Sequence, residues 1–469
     1  MMELENYHAF HFVGLGGVGM CALARILIEK GITVSGSDVS DSAVLQELRN
    51  KGAAVFIGHK RENINNADVL VVSSAIGIDN PELQEAKSRD LPIFHRSDVL
   101  AAIFKWGKGI AVAGAHGKST TSAMIGQIFH VAKMDPTIVL GGFTDYLKGN
   151  SCLGHGEHII AEADESDGSF LKFATFLSVV TNIEDDHLDH YGTVENIRKA
   201  FVEFLNHVTY KDGGAIVCID SEGVQAILPQ IKKKVISFGI NNSAEYRAVN
   251  KRYEKQNMLF DVYHYKEKLG TVSLQIPGIH NVRDALGAIV VALYCGISFE
   301  TSVKALSVFS GVKRRFQTKM KEHGVWIVDD YAHHPTEIAA TLKAAKEMGR
   351  HRVICAFQPH RYSRTKLLQE EFSEAFIDAD VLFFTDIYAA GESPIQGIDG
   401  TLIPNLVKRR FPDKPINYVK NVEDLPKELY KVIKPDDMLI TMGAGNIYMA
   451  GEMLANLMKG KGLSSDYKK

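Results

Sequence analysis

The sequence predicts an α/β chain of three domains, each built on a mostly parallel sheet with flanking helices. Three observations carry that prediction. Apolar runs of strand length alternate with helix-period segments along most of the chain, the pattern of repeated βαβ units. Two such runs end in glycine-rich turns that open helices, Gly14-Leu-Gly-Gly-Val-Gly19 and Gly114-Ala-His-Gly117. A further set of strand-like runs follows residue 312, and each of these ends in polar residues. The length of 469 residues fits three domains of roughly 150 residues each. The expected boundaries are 1–107, 108–312 and 313–469, with Trp106-Gly-Lys-Gly109 as the first linker.

In the first region, Phe10-His-Phe-Val13 reads as a strand running into Gly14, Gly16 and Gly19, which match G-x-G-x-x-G. A helix is expected over 20–30 and a second strand over 32–36, ending at Ser37-Asp38. Such a turn holds a nucleotide diphosphate at a helix N-terminus, with an acid about 20 residues on. NAD and a UDP-sugar both satisfy it, and so does a tight turn with no ligand. Val69-Leu-Val-Val-Ser-Ser74 reads as a further strand, and Asn80-Pro81 starts a helix.

The central region opens on Ile110-Ala-Val-Ala113, a buried strand, then the second glycine turn, then Lys118-Ser119-Thr120 at the start of a helix. Backbone amides and the helix dipole would hold phosphates, Lys118 would reach the terminal ones, and Ser119 would sit on Mg²⁺. Only Ala115 and His116 separate the glycine from Gly117-Lys118, so the loop is shorter than the general phosphate-loop motif. Two strands, 158–162 and 176–183, deliver Glu162, Asp164, Glu165 and Asp167, then Asp186, His187 and Asp189. Mg²⁺ takes only one or two protein carboxylates, so most of these acids are turn residues or helix caps. Residues 213–275 read as β-rich, and the uncharged run 285–299 reads as a core helix.

In the last region, strands are expected at 325–328, 353–357, 381–384 and 438–442, with helices at 336–348 and 365–377. The strand tips carry Asp329-Asp330-Tyr331-Ala-His333-His334, Gln358-Pro-His360-Arg361-Tyr-Ser-Arg364, Thr385-Asp386 and Gly443-Ala-Gly445-Asn446. Arg361 and Arg364 suggest bidentate recognition of a carboxylate or phosphate.

Composition excludes several classes. Apolar residues make up 45% and charged residues 23%, as in ordinary globular proteins. The net charge of −3 gives no electrostatic case for nucleic acid or a membrane surface. Cys21, Cys152, Cys218, Cys295 and Cys355 are scattered and odd in number, which fits neither a disulfide framework nor a zinc site. The expected compartment is a reducing cytoplasm, since the acidic N-terminus lacks a signal-peptide core.

Taken in order, these motifs resemble the Mur ligases, ATP-dependent amide-forming enzymes of peptidoglycan precursor synthesis. The resemblance rests on the two glycine turns, Glu162-Ala-Asp-Glu-Ser-Asp167, Thr181-Asn182, Asp186-His-Leu-Asp189, Gly278-Ile-His-Asn281, Arg314-Arg-Phe316, Asp329-Asp-Tyr-Ala-His-His-Pro335, Phe357-Gln-Pro-His-Arg-Tyr-Ser-Arg364 and Asp386-Ile-Tyr-Ala-Ala-Gly-Glu392. It implies a Rossmann-like first domain holding a UDP-sugar, a phosphate-loop ATPase domain, and a Rossmann-like third domain. It implies ATP and Mg²⁺ as cofactors, and the joining of L-alanine to the lactyl carboxylate of UDP-N-acetylmuramate through an acyl phosphate. By the same resemblance, Gly16, Gly17, Val18, Gly19, Ser37 and Ser74 serve the UDP-sugar. Gly114, Ala115, His116, Gly117, Lys118, Ser119 and Thr120 serve ATP, with His280 and Asn281 near the adenine and Arg315 and Asp330 also on the nucleotide. Ser119, Glu162 and His187 hold Mg²⁺, and Lys118, His187 and His333 are catalytic. Tyr331, His333, His360, Arg361 and Arg364 fall on the amino-acid side.

Ala115 and Ser119 stand where threonine is common in the family, and Asp284 where asparagine is. The carbamoylated lysine of sibling ligases has no convincing counterpart; Lys199 lies near the offset. The alternatives are a recycling ligase that attaches a whole peptide to the same UDP-sugar, and an NAD-dependent oxidoreductase. A monomer or homodimer is expected, with no nucleic-acid or membrane partner.

Overall fold

A computed structural model of the protein describes residues 3–185, 188–254, 257–349 and 352–460. The chain divides into two compact units. The first takes most of the chain up to Ser310 and holds most of two sheets; the second takes the chain from Gly311 on, together with Arg252–Met258 and Leu274–Asn281.

The first sheet has five parallel strands in the order Ala54–Ile57, Thr33–Asp38, Ala9–Val13, Val69–Val72, Ile93–His95. The chain starts in the middle, winds to one edge and crosses to the other. The order therefore reverses between Ala9–Val13 and Val69–Val72, and a crevice opens beyond their carboxyl ends. Phe10, Phe12 and Val13 are fully buried, as a strand covered on both faces requires.

The second sheet has ten strands. Lys108–Ala113 lies between Leu177–Val180 and His158–Glu162, parallel to both. Thr137–Thr144 continues one side, and Gly149–Cys152 closes it antiparallel. Gly214–Cys218 and Val235–Gly239 continue the other side in parallel, in the region read as β-rich. The helix Val18–Glu29 of the first sheet packs on this second sheet's edge. Asn150 donates to Val18 O at 2.8 Å, Ser151 donates to Ala22 O at 3.0 Å, and buried Arg25 donates to Asn150 Oδ1 at 2.9 Å and Ser151 Oγ at 3.0 Å.

The third sheet has six strands. Gln317–Glu322 is antiparallel to Val325–Asp330; Asp437–Met442, Arg352–Phe357, Val381–Phe384 and Ile416–Tyr418 follow in parallel.

Three expectations are corrected. Lys108 and Gly109 are not linker: they begin the strand and pair with His158 and Ile159. The uncharged run 285–299 is helical only as far as Tyr294, within the helix Ile279–Tyr294, and the next helix, Phe299–Ser307, begins at its last residue. Gly296, at φ +78°, stops the first, and Ser298 caps the second by accepting from Thr301 N. The helix expected over 365–377 is split into Tyr362–Leu367 and Gln369–Glu374. Leu368, at the break, packs on the core, while Leu367 is 73% exposed.

The five cysteines are all free thiols. Among the described residues no helix is long and apolar enough to cross a membrane.

Candidate active site

The expected site residues fall in both units, and each group is built on its own sheet. In the first unit, Ile110 to Ala113 are fully buried and deliver the chain to Gly114 at the sheet edge. Gly114 (φ +135°) and Gly117 (φ +83°) take conformations that only glycine adopts cheaply. A Cβ on Gly117 would also stand 2.5 Å from Asp284 Oδ1. Asp284, expected on the adenine side, thus backs the phosphate loop. The helix Lys118–Val131 begins directly after Gly117, with no side chain capping it, so its positive end lies at the loop.

His116 belongs to the scaffold of the loop. Its N–H donates to Asn182 Oδ1 at 2.9 Å, and its carbonyl accepts from Thr181 Oγ1 at 2.5 Å and Asn182 Nδ2 at 2.8 Å. Its Nε2 lies 3.2 Å from Glu184 Oε2. Thr120 is buried in the helix start. Lys118 donates to Gly114 O at 2.6 Å and to Ala115 O at 3.4 Å, and pairs with Glu165 Oε1 at 2.7 Å. Burial works against its ammonium, but the carboxylates of Glu165 and Glu162 outweigh that and hold it above the usual lysine range.

Ser119 donates to Glu162 Oε2 at 2.8 Å, and the same oxygen accepts from Gly141 N at 3.0 Å. A hydroxyl and a carboxylate this close are oxygen donors of the kind Mg²⁺ takes, few enough to leave room for water and phosphate oxygens. The remaining expected ligand, His187, lies outside the described residues. The neighbouring acids do other work: Asp164 accepts from Arg96 at 2.7 Å, and Asp167 caps Ser169 N at 3.0 Å.

At the first sheet, Gly14 has φ +79°, and Gly16 N–H donates to Asp38 Oδ2 at 2.9 Å. Gly17 precedes the helix Val18–Glu29 with no side-chain cap, so the turn Gly16 to Gly19 presents a helix N-terminus. A cavity of about 420 Å³ adjoins it, bounded by Gly14, Asp38, His59 and Ile76 among others. Ser37 is fully buried, and its hydroxyl donates to Glu82 at 2.5 Å. Ser74 is exposed, 3.3 Å from His95 Nε2 and from Asp167 Oδ2. Neither serine lines this cavity.

In the second unit, Asp330 ends its strand buried, accepting from Phe316 N at 2.8 Å and Ala332 N at 2.7 Å. Burial pushes its carboxyl up to about 6, against the pull of Arg315. Arg315 pairs with Glu337 at 3.2 Å, and its guanidinium lies over Tyr331. His333 stands 5.9 Å from His360, whose ring stacks on Tyr388. Burial first, and the charge of Arg364 in part, bring both imidazoles down to about 4. Both are therefore neutral near neutral pH. His333 Nδ1 is 3.0 Å from Tyr331 O, which can only accept, so Nδ1 carries the proton and Nε2 is the acceptor. Arg364 Nη1 is 3.3 Å from His360 Nδ1, which must then accept, so His360 carries its proton on Nε2. Arg361 has φ +70°, a strained state for a residue with a side chain, and its N–H donates to Tyr388 O at 2.9 Å. Asn281 is buried and its amide donates to Pro277 O at 2.5 Å; His280 Nε2 lies 3.2 Å from the same amide.

Models of three families match consecutive segments: the Mur ligase family catalytic domain over 9–106, the Mur ligase middle domain over 112–292, and the Mur ligase glutamate ligase domain over 314–445. The chain belongs to the Mur ligase family. A UDP-N-acetylmuramate–L-alanine ligase of Geobacter sp. strain M21 is 46% identical over 96% of this chain and 97% of its own length. The crystal structure of a UDP-N-acetylmuramate–alanine ligase from Thermotoga maritima matches with TM-score 0.83 and 27% identity, covering 96% of this chain and 99% of that one. A murein peptide ligase from Psychrobacter arcticus shares the fold, with TM-score 0.72 at 23% identity over 98% of this chain and all of that one.

As a Mur ligase, the chain is an α/β enzyme of three domains, and the oxidoreductase reading is set aside. The first unit can neutralise phosphate charge through Lys118 and a helix N-terminus, and offers oxygen donors in Ser119 and Glu162. The second offers a fixed acceptor, a fixed donor and two guanidinium groups around His333 and His360. Sequence reasoning put Asp284 on the adenine side and not behind Gly117, and passed over Arg96 on Asp164 and His59 with Glu82. Their partners are distant in sequence, and no spacing marks them.

Proposed function

We propose that this Mur ligase joins L-alanine to the lactyl carboxylate of UDP-N-acetylmuramate, converting ATP to ADP and phosphate and giving UDP-N-acetylmuramoyl-L-alanine. The observation that carries the reading is the near full-length likeness to proteins of that name, at 46% and 45% identity. The phosphate loop supports it, because Lys118, Ser119 and Glu162 converge where the chemistry needs them.

The lactyl carboxylate attacks the γ-phosphate, and an acyl phosphate forms as ADP leaves. Two anions must meet, so the barrier is chiefly electrostatic. Lys118 supplies a fixed positive charge, and the amides of the glycine turn and helix start orient the phosphates. Ser119 and Glu162, with His187, would hold Mg²⁺, which adds charge neutralisation when bound. The neutral amine of L-alanine then attacks the acyl carbon, the bond from that carbon to the phosphate oxygen breaks, and the departing phosphate takes up the proton that nitrogen gives up. Near pH 7, an imidazole held at about 4 is a weak base. His333 Nε2 is accordingly proposed to orient the neutral amine by accepting its hydrogen bond, with His360 beside it. Arg361 and Arg364 hold the alanine carboxylate.

The UDP-sugar is placed at Gly16, Gly17, Val18 and Gly19, with Ser37 and Ser74 nearby. His280, Asn281, Arg315 and Asp330 keep nucleotide-side roles. Domain boundaries near residues 107 and 312, a cytoplasmic setting and a monomer or homodimer complete the proposal. The test is phosphate release from ATP with UDP-N-acetylmuramate, one amino acid at a time. Release that needs L-alanine supports the reading. Release that needs a murein tripeptide instead favours the recycling ligase.

A further inference from the structure

In the second unit, the strand Val325–Asp330 hands over to the helix Pro335–Glu347 through Tyr331 to His334, the stretch that carries His333. Glu337 stands in the first turn of that helix, its side chain 12% exposed. Its two carboxylate oxygens face different partners. Oε2 accepts from His333 N at 3.1 Å and from His334 N at 3.3 Å, and lies 3.4 Å from His333 Nδ1. Oε1 pairs with Arg315 Nη1 at 3.2 Å.

The Oε2 contacts complete a capping box, in which the His334 ring accepts in turn from Thr336 N at 3.4 Å. They also pin the backbone of His333. With Tyr331 O, Oε2 places two acceptors around the Nδ1 proton, so the ring is held by that edge and Nε2 is the acceptor on the other. Capping needs only one oxygen. The other meets a guanidinium that lies over the Tyr331 ring, and so fixes its direction from a second side. A planar fork already held in one direction loses less freedom when it meets a phosphate.

We propose that Glu337 is a positioning residue that ties the two sides of this unit together: one oxygen aims Arg315, and the other sets the backbone and ring of His333. The inference rests on the reading that Arg315 serves the nucleotide and His333 the amine, and it adds the group that fixes both. One carboxylate then keeps the phosphate-side cation and the amine-side acceptor in a constant relation. The chemistry needs this, because phosphoryl transfer and amine attack occur in turn on the same carboxyl group.

Steady-state kinetics of the full-length protein, with ATP and L-alanine varied in turn, tests the proposal. Glu337→Gln keeps an oxygen that can cap the His333 and His334 amides, but no charge to pair with Arg315. It should raise the KM for ATP on the order of 10-fold, and leave the KM for L-alanine and the melting temperature near wild type. Glu337→Ala, which loses both oxygens, should raise both KM values. Arg315→Ala should also raise the KM for ATP, and Glu337→Gln added to it should change that KM no further, since no guanidinium is left to aim. A residue that only caps the helix would give Glu337→Gln wild-type kinetics, and that result overturns the inference. So does an additive effect in the double variant, or a folded Glu337→Ala with an unchanged KM for L-alanine. If thermal unfolding shows that Glu337→Ala does not fold, the cycle of Glu337→Gln and Arg315→Ala decides alone. If instead Arg315→Ala leaves the KM for ATP unchanged, or His333→Ala that for L-alanine, the reading of those residues has failed and takes the inference with it.

Discussion

Lys118 Nζ lies 2.7 Å from Glu165 Oε1, so the phosphate loop carries its own counter-charge before any nucleotide arrives. The pair keeps the ammonium protonated although it is buried, and its hydrogen bond to Gly114 O ties it back to the loop. An incoming phosphate must share this cation with Glu165.

Lys118→Ala should therefore abolish most turnover while leaving the fold intact. Loss of one such contact typically lowers the rate on the order of 10²–10³-fold. Steady-state kinetics beside far-UV circular dichroism tests this; a variant that retains most of its kcat removes Lys118 from the mechanism.

Ser119→Ala removes one of the two oxygen donors that lie 2.8 Å apart. The Mg²⁺ concentration for half-maximal rate should rise about 10-fold or more, and Ser119→Thr should stay near wild type. Activity measured across a Mg²⁺ titration decides it. An unchanged half-saturation in Ser119→Ala takes the hydroxyl out of the metal set.

Arg364→Ala should raise the KM for L-alanine and leave that for UDP-N-acetylmuramate nearly unchanged. Selection of alanine over glycine rests on one methyl group, so it should be modest, roughly 10–200-fold. Kinetics with one substrate varied at a time separates the cases. A raised UDP-sugar KM with an unchanged alanine KM would place the guanidinium on the wrong substrate.

Asp330, held up at about 6 by burial, makes stability pH-dependent. Its unfolded value is about 3.9. Between these values the native state binds more protons than the unfolded chain, so this group's contribution falls as pH rises through that window. Two units correspond to about 3 kcal/mol. Asp330→Asn cannot titrate, so the stability of wild type relative to the variant should decline from about pH 4 to pH 6 and then level off. Urea denaturation across that range measures it, and a constant difference refutes the assignment.

The legible parts of this chain were those written in short spans. The strand, glycine turn and helix around residues 110–121 lie within a dozen residues, and the structure forms them as read. The strand tips at Asp330 and Phe357 were legible for the same reason, since an apolar run of four or five residues stops at a polar one. The helix breaks were less so: Gly296 ends its helix with φ +78°, and Leu368, between two helices, packs on the core at φ −107°, which no local pattern marks. The surroundings of His59 were illegible, because its partners Ser37 and Glu82 lie 22 residues before it and 23 after.

Arg25 gives the first sheet a timetable. The residue is 3% exposed, and two of its partners, Asn150 and Ser151, follow it by 125 and 126 residues. On a ribosome, the five strands of the first sheet are all synthesised once residue 95 has emerged. The arginine and the helix face around it must then stay wet until the strand Gly149–Cys152 appears. The nascent chain therefore passes through a stretch of synthesis in which one finished sheet shows an unfinished surface. A chain cut at the change of sheet near residue 107 would be arrested at that stage, with its most deeply placed cation facing water.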